Sequence, residues 1–272
     1  MAKGNLILGT GSGSIGDVTM MRRNGAEVAR VRIRKIMNPK SQGQAEQRMY
    51  MAPILKFYSP LAGVLETSFE GLNKSDSYAK FISVNANLAR ANGWAVKKGV
   101  GLFPLPYQIA GGTMQEPVMD GIALTITAAS VPATLGELSA AIIAAHPNLQ
   151  NGDQLTYIGF GIAEGATADN PKFIMKYGSF FLETASTDTI PADLEIVNGT
   201  LKVKSLAFAA AFIFSRWDAT SQKWSRSNSF VAVDATYNDW YKGADVLAAA
   251  IASYMKSAGQ VPVSDVYLNG GF

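Results

Sequence analysis

The sequence predicts an α+β fold: an N-terminal β-hairpin plus helices, followed by an antiparallel β-sandwich with two decorating helices. Three observations carry that prediction. An Asn24-Gly25 pair joins two strand-like runs near the start. Apolar residues at helical spacing then occupy residues 42–90. From Phe103 onward Pro104, Pro106 and Gly111-Gly112 punctuate short apolar runs of strand length. The expected units are a basic hairpin-and-helix module at 1–102 and a sandwich-like domain at 103–272. With 272 residues, 48% hydrophobic and 17% charged, the chain can build a sizeable core and is not a disordered polymer.

The first segment to place is Gly11-Ser12-Gly13-Ser14-Ile15-Gly16, which has the spacing of the dinucleotide motif G-x-G-x-x-G. That motif works where its last glycine opens a helix whose N-terminus faces pyrophosphate. Here residues 17–23 and 26–34 read as strands instead, so no nucleotide-binding unit is predicted. With Asn24-Gly25 as the loop, Arg22 faces Glu27, Met20 faces Ala29, Val18 faces Val31 and Asp17 faces Arg32. Val18, Met20, Ala29, Val31 and Ile33 then share an apolar face, and Thr19, Met21, Val28, Arg30, Arg32 and Arg34 share the other. The three arginines stand about 6.6–6.8 Å apart along the strand.

Asn38-Pro39 ends the strand, and Ser41 can cap a helix beginning at Gln42. Pro53 is expected to kink that helix or to start a second one. Met49, Ile54, Leu55, Tyr58, Leu61, Val64 and Leu65 roughly follow helical spacing. A further helix over 75–90 carries Tyr78, Phe81, Ile82, Leu88 and Ala89 on one side. Strands are predicted at 118–127, 154–162, 172–183, 193–197, 201–214 and 229–234, with Asn198-Gly199 as a second hairpin turn. Thr134 and Glu137 form a capping box before residues 138–145, and an Ala-rich pattern predicts a helix over 237–255.

Charge is uneven. Residues 1–60 hold ten Lys/Arg and three Asp/Glu, a net +7, and the remainder is −4. Arg22, Arg23, Arg30, Arg32, Arg34, Lys35, Lys40 and Arg48 are therefore candidate contacts for an acidic protein surface or for nucleic acid, against the alternative of a solvated face. A second candidate is the aromatic and basic region Arg216-Trp217 and Lys223-Trp224-Ser225-Arg226. Trp217 and Trp224 flank a turn-rich loop and offer rings for base stacking or for a protein contact.

Zero Cys and the single His146 exclude thiol catalysis, disulfides and structural zinc. His146 ends the capped helix, where an imidazole suits the last carbonyls, so it reads as structural. Asp234 with Asp239, and Glu183 with Asp188, are scattered carboxylates. No catalytic residue, metal ligand or cofactor is assigned. No export signal is visible, and the longest apolar stretch, 206–214, is far short of the ~20 residues that cross a bilayer. Synthesis in the cytoplasm with no membrane partner is expected. The low surface charge is compatible with a homo-oligomer.

The stretch Gly13-x-x-Gly16-Asp17, Arg22 or Arg23, Gly25, Val28, Arg30, Arg32, Asn38-Pro39-Lys40, Gln44 and Gln47-Arg48 resembles the opening of a family of uncharacterised proteins. These occur in Bacteroidetes genomes and gut phages, including small single-stranded DNA phages. Their pattern is similar to G-K-x-G-D, R-x-x-G, then N-P-x-T-x-x-Q-x-x-Q-R; Ser14 stands where lysine is usual and Ser41 where threonine is usual. The similarity continues weakly through Asn85, Asn87 and Tyr107-Gln108-Ile109-Ala110-Gly111-Gly112. The resemblance implies a phage context and carries no assigned activity; together with a composition that favours contact over catalysis it leads to the expectation of a non-enzymatic, phage-derived structural or virion-associated protein, made in the host cytoplasm, with the virion as a further location. Its partners would be other virion or phage proteins, with single-stranded DNA as the alternative.

Overall fold

The computed structural model describes residues 3–5, 10–15, 18–23, 26–31, 42–91, 102–128, 130–167 and 172–240. The chain is α+β and divides into two compact units, Met1–Lys40 and Ser41–Phe272.

The first unit is an antiparallel meander of β1 (Lys3–Asn5), β2 (Thr10–Ile15), β3 (Val18–Arg23) and β4 (Ala26–Val31), hydrogen-bonded in chain order. The β3–β4 register is the one that an Asn-Gly loop imposes: Val18 pairs with Val31, Met20 with Ala29 and Arg22 with Glu27. The glycine-rich segment is strand β2, with Gly13 opposite Met20. The Asp17–Arg32 pair lies outside the described residues.

The second unit opens with α1 (Gln42–Leu65), a single helix that continues through both Pro53 and Pro60. A proline inside a helix costs about 3 kcal/mol. Against that, Ile54, Phe57, Tyr58, Leu61 and Leu65 are all buried, each contributing about 1.5–3 kcal/mol. Packing therefore keeps one helix where Pro53 could have started a second. Leu55, grouped with the apolar set by spacing, instead faces solvent. Helix α2 (Lys74–Ala91) is capped by Asn73, whose Oδ1 accepts from the Asp76 amide at 2.9 Å while its Nδ2 donates to the Asp76 carboxylate.

Beyond lie β5 (Gln108–Ala110), β6 (Met119–Asp120), β7 (Ala123–Thr125), α3 (Leu135–Ala145), β8 (Gln154–Ile162), β9 (Phe173–Phe181), β10 (Leu194–Val197), β11 (Thr200–Val203), β12 (Ala209–Asp218), β13 (Lys223–Arg226), β14 (Ser229–Phe230) and β15 (Ala232–Val233). The run expected as one strand over 201–214 is two, because the chain turns between β11 and β12 at Ser205, whose φ is +63°. The helix expected over 237–255 lies largely outside the described residues; Ala235–Trp240 form a 3-10 turn.

A five-stranded sheet, ordered β13-β12-β8-β9 with β15 on β12, is the centre of this unit. One face, with Ile158, Phe160, Ala209, Ala211 and Ile213, packs on Phe57, Leu61 and Phe81 of the helices. The Phe57 and Phe160 ring centroids are 5.5 Å apart. The other face, with Leu155, Tyr157, Ala210, Phe212 and Phe214, packs on Leu124 and Leu201 of the β10-β11-β7-β6 sheet and on Leu138 and Ile142 of α3. Burial on both faces explains why β8 reads as an almost unbroken apolar run. At Gly159 a Cβ would sit 2.6 Å from Val203 Cγ1, so glycine is what lets the second sheet approach.

The helices are thus one layer of the sandwich unit and share its core, and the compact units divide after Lys40 rather than at residue 102. The spacing of the helices concealed this because it shows only that they have an apolar side, not what covers it. Asn85, 2% exposed, adds a polar tie: its Nδ2 donates to the Phe81 and Gln108 carbonyls, and its Oδ1 accepts from the Gln108 amide at 2.8 Å.

Candidate binding site

Side chains alternate along a strand, so Gln154, Thr156, Ile158 and Phe160 of β8 all face the helices. The first two are polar and the next two apolar. Register brings Ser179 opposite Thr156 and Tyr177 opposite Ile158 on β9, Ile213 opposite Thr156 and Ser215 opposite Gln154 on β12, and Arg226 opposite Ser215 on β13. One end of an otherwise apolar sheet face is therefore paved with hydroxyls, an amide and a guanidinium. The last turns of α1, at Gly63 and Val64, and the following Thr67 and Ser68 close over it, leaving a cavity of about 350 Å3.

Arg226 is the charged member and is 8% exposed. Its Nε donates to the Thr67 carbonyl at 3.0 Å and Nη2 to Thr67 Oγ1 at 3.2 Å, and Cζ lies 4.7 Å from the centroid of the Trp224 ring. Among the described residues no carboxylate forms an ion pair with it. Glu70 instead accepts from the Arg226 backbone amide, from Thr113 N at 2.8 Å and from Thr113 Oγ1. Burial pushes the Arg226 guanidinium down to about 10, with the Glu70 charge partly opposing that shift. Burial acts to raise Glu70, but the Thr113 and Arg226 amides outweigh it and hold the carboxyl below its usual range. Ser215 Oγ is fully buried and makes no hydrogen bond.

Beyond Arg226, Trp217 and Trp224 form a cross-strand pair with ring centroids 5.4 Å apart, and Trp217 is 47% exposed. Arg216 is not a free cation: its Nε and Nη2 each reach the buried Asp153 carboxylate at 2.7 Å, and Nη2 also donates to the Asn148 carbonyl. Of the cations beside the tryptophans, Lys223 alone is exposed and Arg226 faces inward.

In the first unit Arg22 and Arg23 close β3, and Arg30 is exposed on β4. Arg48 lies within α1. Arg32, Arg34, Lys35 and Lys40 lie outside the described residues. Arg22, Arg23 and Arg30 thus belong to the first unit, and Arg48, Trp217 and Trp224 to the second.

His146 is buried at the end of α3. Its Nδ1 shares a hydrogen bond with the Ile142 carbonyl at 3.0 Å, its Nε2 accepts from the Val118 amide at 3.0 Å, and its ring packs edge-on to Phe214. Burial lowers its pKa, so the ring is a neutral connector with both nitrogens used, rather than the charged cap that the helix end alone suggests. Asp234 Oδ1 accepts from the Thr236 amide and starts the 3-10 turn. Asp188 exchanges bonds with Ser186. No group of three or more His, Asp or Glu among the described residues is placed to hold a metal ion. No described helix is long and apolar enough to cross a membrane.

No single strand shows the cleft, which exists only through the pairing of four. Its signal is the change from polar to apolar at same-face positions in Gln154-x-Thr156-x-Ile158 and the reverse in Ile213-x-Ser215, which register places side by side.

These features define a layered α+β protein with a helix-covered sheet whose polar end stays open. Residues 10–100 match the model of a family of unknown function, DUF6266. No curated protein and no solved structure matches the chain.

Proposed function

We propose that this chain is a non-enzymatic interaction protein of the phage structural or virion-associated kind, whose basic unit Met1–Lys40 docks on an acidic protein surface. The observation that carries the reading is exposed valine on both faces of a cationic ribbon. Val18 and Val31, paired across β3 and β4, are 40% and 76% exposed on one face, and Val28, 39% exposed, stands with Arg30 on the other; Arg22 and Arg23 close β3. Residues 1–40 hold eight Lys/Arg against two Asp/Glu. A small sheet with exposed apolar side chains is marginal alone in water, and exposed valines interleaved with arginines have the make-up of a docking surface. Charge complementarity then selects an acidic partner.

The test is to probe gradient-purified virions for the full-length chain, wild type and with Arg22, Arg23 and Arg30 all changed to Glu. The wild type is expected in the particle and the reversed variant outside it. Equal incorporation of both would overturn the docking role. The paired tryptophans favour a second reading, binding of single-stranded DNA. It predicts affinity that falls steeply between about 50 and 200 mM salt and that drops on Trp217→Ala.

A further inference from the structure

The cleft at the polar end of the large sheet holds a buried guanidinium with no direct ion pair among the described residues; the Glu70 carboxylate, which accepts from the Arg226 backbone amide, acts on it only through space. Of the five N–H donors of a guanidinium, Arg226 uses two, both on Thr67. Its side chain lines the cavity and is 8% exposed. Withdrawing a cation from water is costly unless an anion meets it, yet among the described residues no carboxylate pairs with this one. Nor is the Arg226 charge extinguished, since a guanidinium at about 10 remains protonated at neutral pH.

Ser215 gives a second, independent pointer. It stands directly opposite Arg226 in the β12–β13 register, lines the same cavity, is fully buried, and leaves its hydroxyl without a partner. A buried hydroxyl so placed is destabilising unless something enters to bond it. Around these two groups the remaining wall is neutral and rich in hydroxyl and amide groups: Ser179, whose oxygen accepts from Gln154 Nε2 at 3.2 Å, with Thr156 and the half-exposed Tyr177. The cavity, at about 350 Å3, lies within the ~300–1,000 Å3 range of small-molecule sites.

We propose that this cleft binds a small oxyanion on a hydroxyl-bearing carrier, a sugar phosphate or sugar acid, with Arg226 as counter-charge and Ser215 as a second donor. Arg226 supplies the charge-assisted hydrogen bonds, and Ser179, Thr156 and Gln154 match the carrier's hydroxyls. The Trp224 ring, packed on the other side of the guanidinium, fixes the fork in place before the ligand arrives.

Calorimetric titration of the full chain with glucose 6-phosphate, glucuronate and glucose tests this. Saturable binding of at least one of the two anionic sugars is expected, with glucose at least tenfold weaker, and the tighter of the two arms identifies the head group. Arg226→Met should weaken that binding by about ten- to a hundredfold, the worth of lost charge-assisted hydrogen bonds. Ser215→Ala removes only an unpartnered hydroxyl, so it should leave the free protein at least as stable while weakening the anionic sugar severalfold. If Arg226→Met does not fold, Ser215→Ala carries the test. No saturable binding of either anion, equal binding of glucose, or unchanged affinity in Ser215→Ala overturns the assignment. Charge reversal at Arg22, Arg23 and Arg30 should leave this binding unchanged, which separates it from the docking role of the first unit.

Discussion

Replacing Asn85 with alanine removes three hydrogen bonds at once, two to the backbone of Gln108 and one to the Phe81 carbonyl. The Phe81 carbonyl already belongs to the helix ladder, so the main loss is at Gln108, whose amide and carbonyl are left part-buried and unpaired. An unsatisfied group of this kind costs about 1–3 kcal/mol, so a total of roughly 2–5 kcal/mol is expected. That is a large share of the ~5–15 kcal/mol of a typical domain. Urea denaturation with a shared m-value measures it. Asn85→Asp sharpens the test: the carboxylate can still accept from the Gln108 amide but cannot donate, and it buries a charge. Its deficit should be larger than that of the alanine variant at pH 7 and should shrink as pH falls into the carboxylate range, where the protonated acid donates again. A loss under about 0.5 kcal/mol for Asn85→Ala, or an Asn85→Asp deficit independent of pH, would refute the claim that this side chain ties the helical layer to β5.

The shared core predicts that a fragment of residues 103–272 does not unfold cooperatively; a sharp calorimetric transition for it would restore the boundary at 102. Gly159→Val should destabilise by about 1–3 kcal/mol, because its first carbon already meets Val203, whereas Gly63→Ala, with nothing within 4 Å, should stabilise α1 by up to about 1 kcal/mol. Denaturant midpoints separate the two. His146 has a lowered folded pKa, so its contribution is intact above its ordinary value of 6.5 and is lost as pH falls below it. Glu70, also lowered, adds stability above its ordinary 4.5 that is lost as pH drops through its folded value. Stability against pH should therefore start to decline near 6.5, and His146→Gln should postpone that decline to the carboxylate range. The same onset in both proteins counts against the neutral, buried imidazole.

Local chemistry was legible in the sequence wherever a short-range rule decides the outcome. Asn24-Gly25 gave the β3–β4 register residue for residue, Asn198-Gly199 gave the β10–β11 turn with both residues at positive φ, and Thr134 with Glu137 gave the start of α3. What failed was non-local. The spacing of the apolar positions in the two helices cannot say which surface covers them, and that surface is a sheet assembled from residues more than 70 positions away from Phe57 and Phe81. No second helix starts at Pro53, because the cost of the proline is local whereas the burial that outweighs it is collective. The cleft was illegible for the same reason: Ser215, Thr156 and Arg226 are unremarkable singly, and only their pairing places them on one surface. Arg216 shows the converse, a cation that composition counts as free and that Asp153 neutralises.

The segment similar to DUF6266, residues 10–100, covers β2, β3, β4 and the two helices and stops before the sheet on which those helices rest. A helix pair that presents Phe57, Leu61 and Phe81 cannot survive bare in water. The helices of the matched segment therefore depend for their burial on residues that the match does not reach, Ile158, Phe160 and Ile213 among them, so a polar substitution on that side of the sheet would loosen the helices as well as the strands.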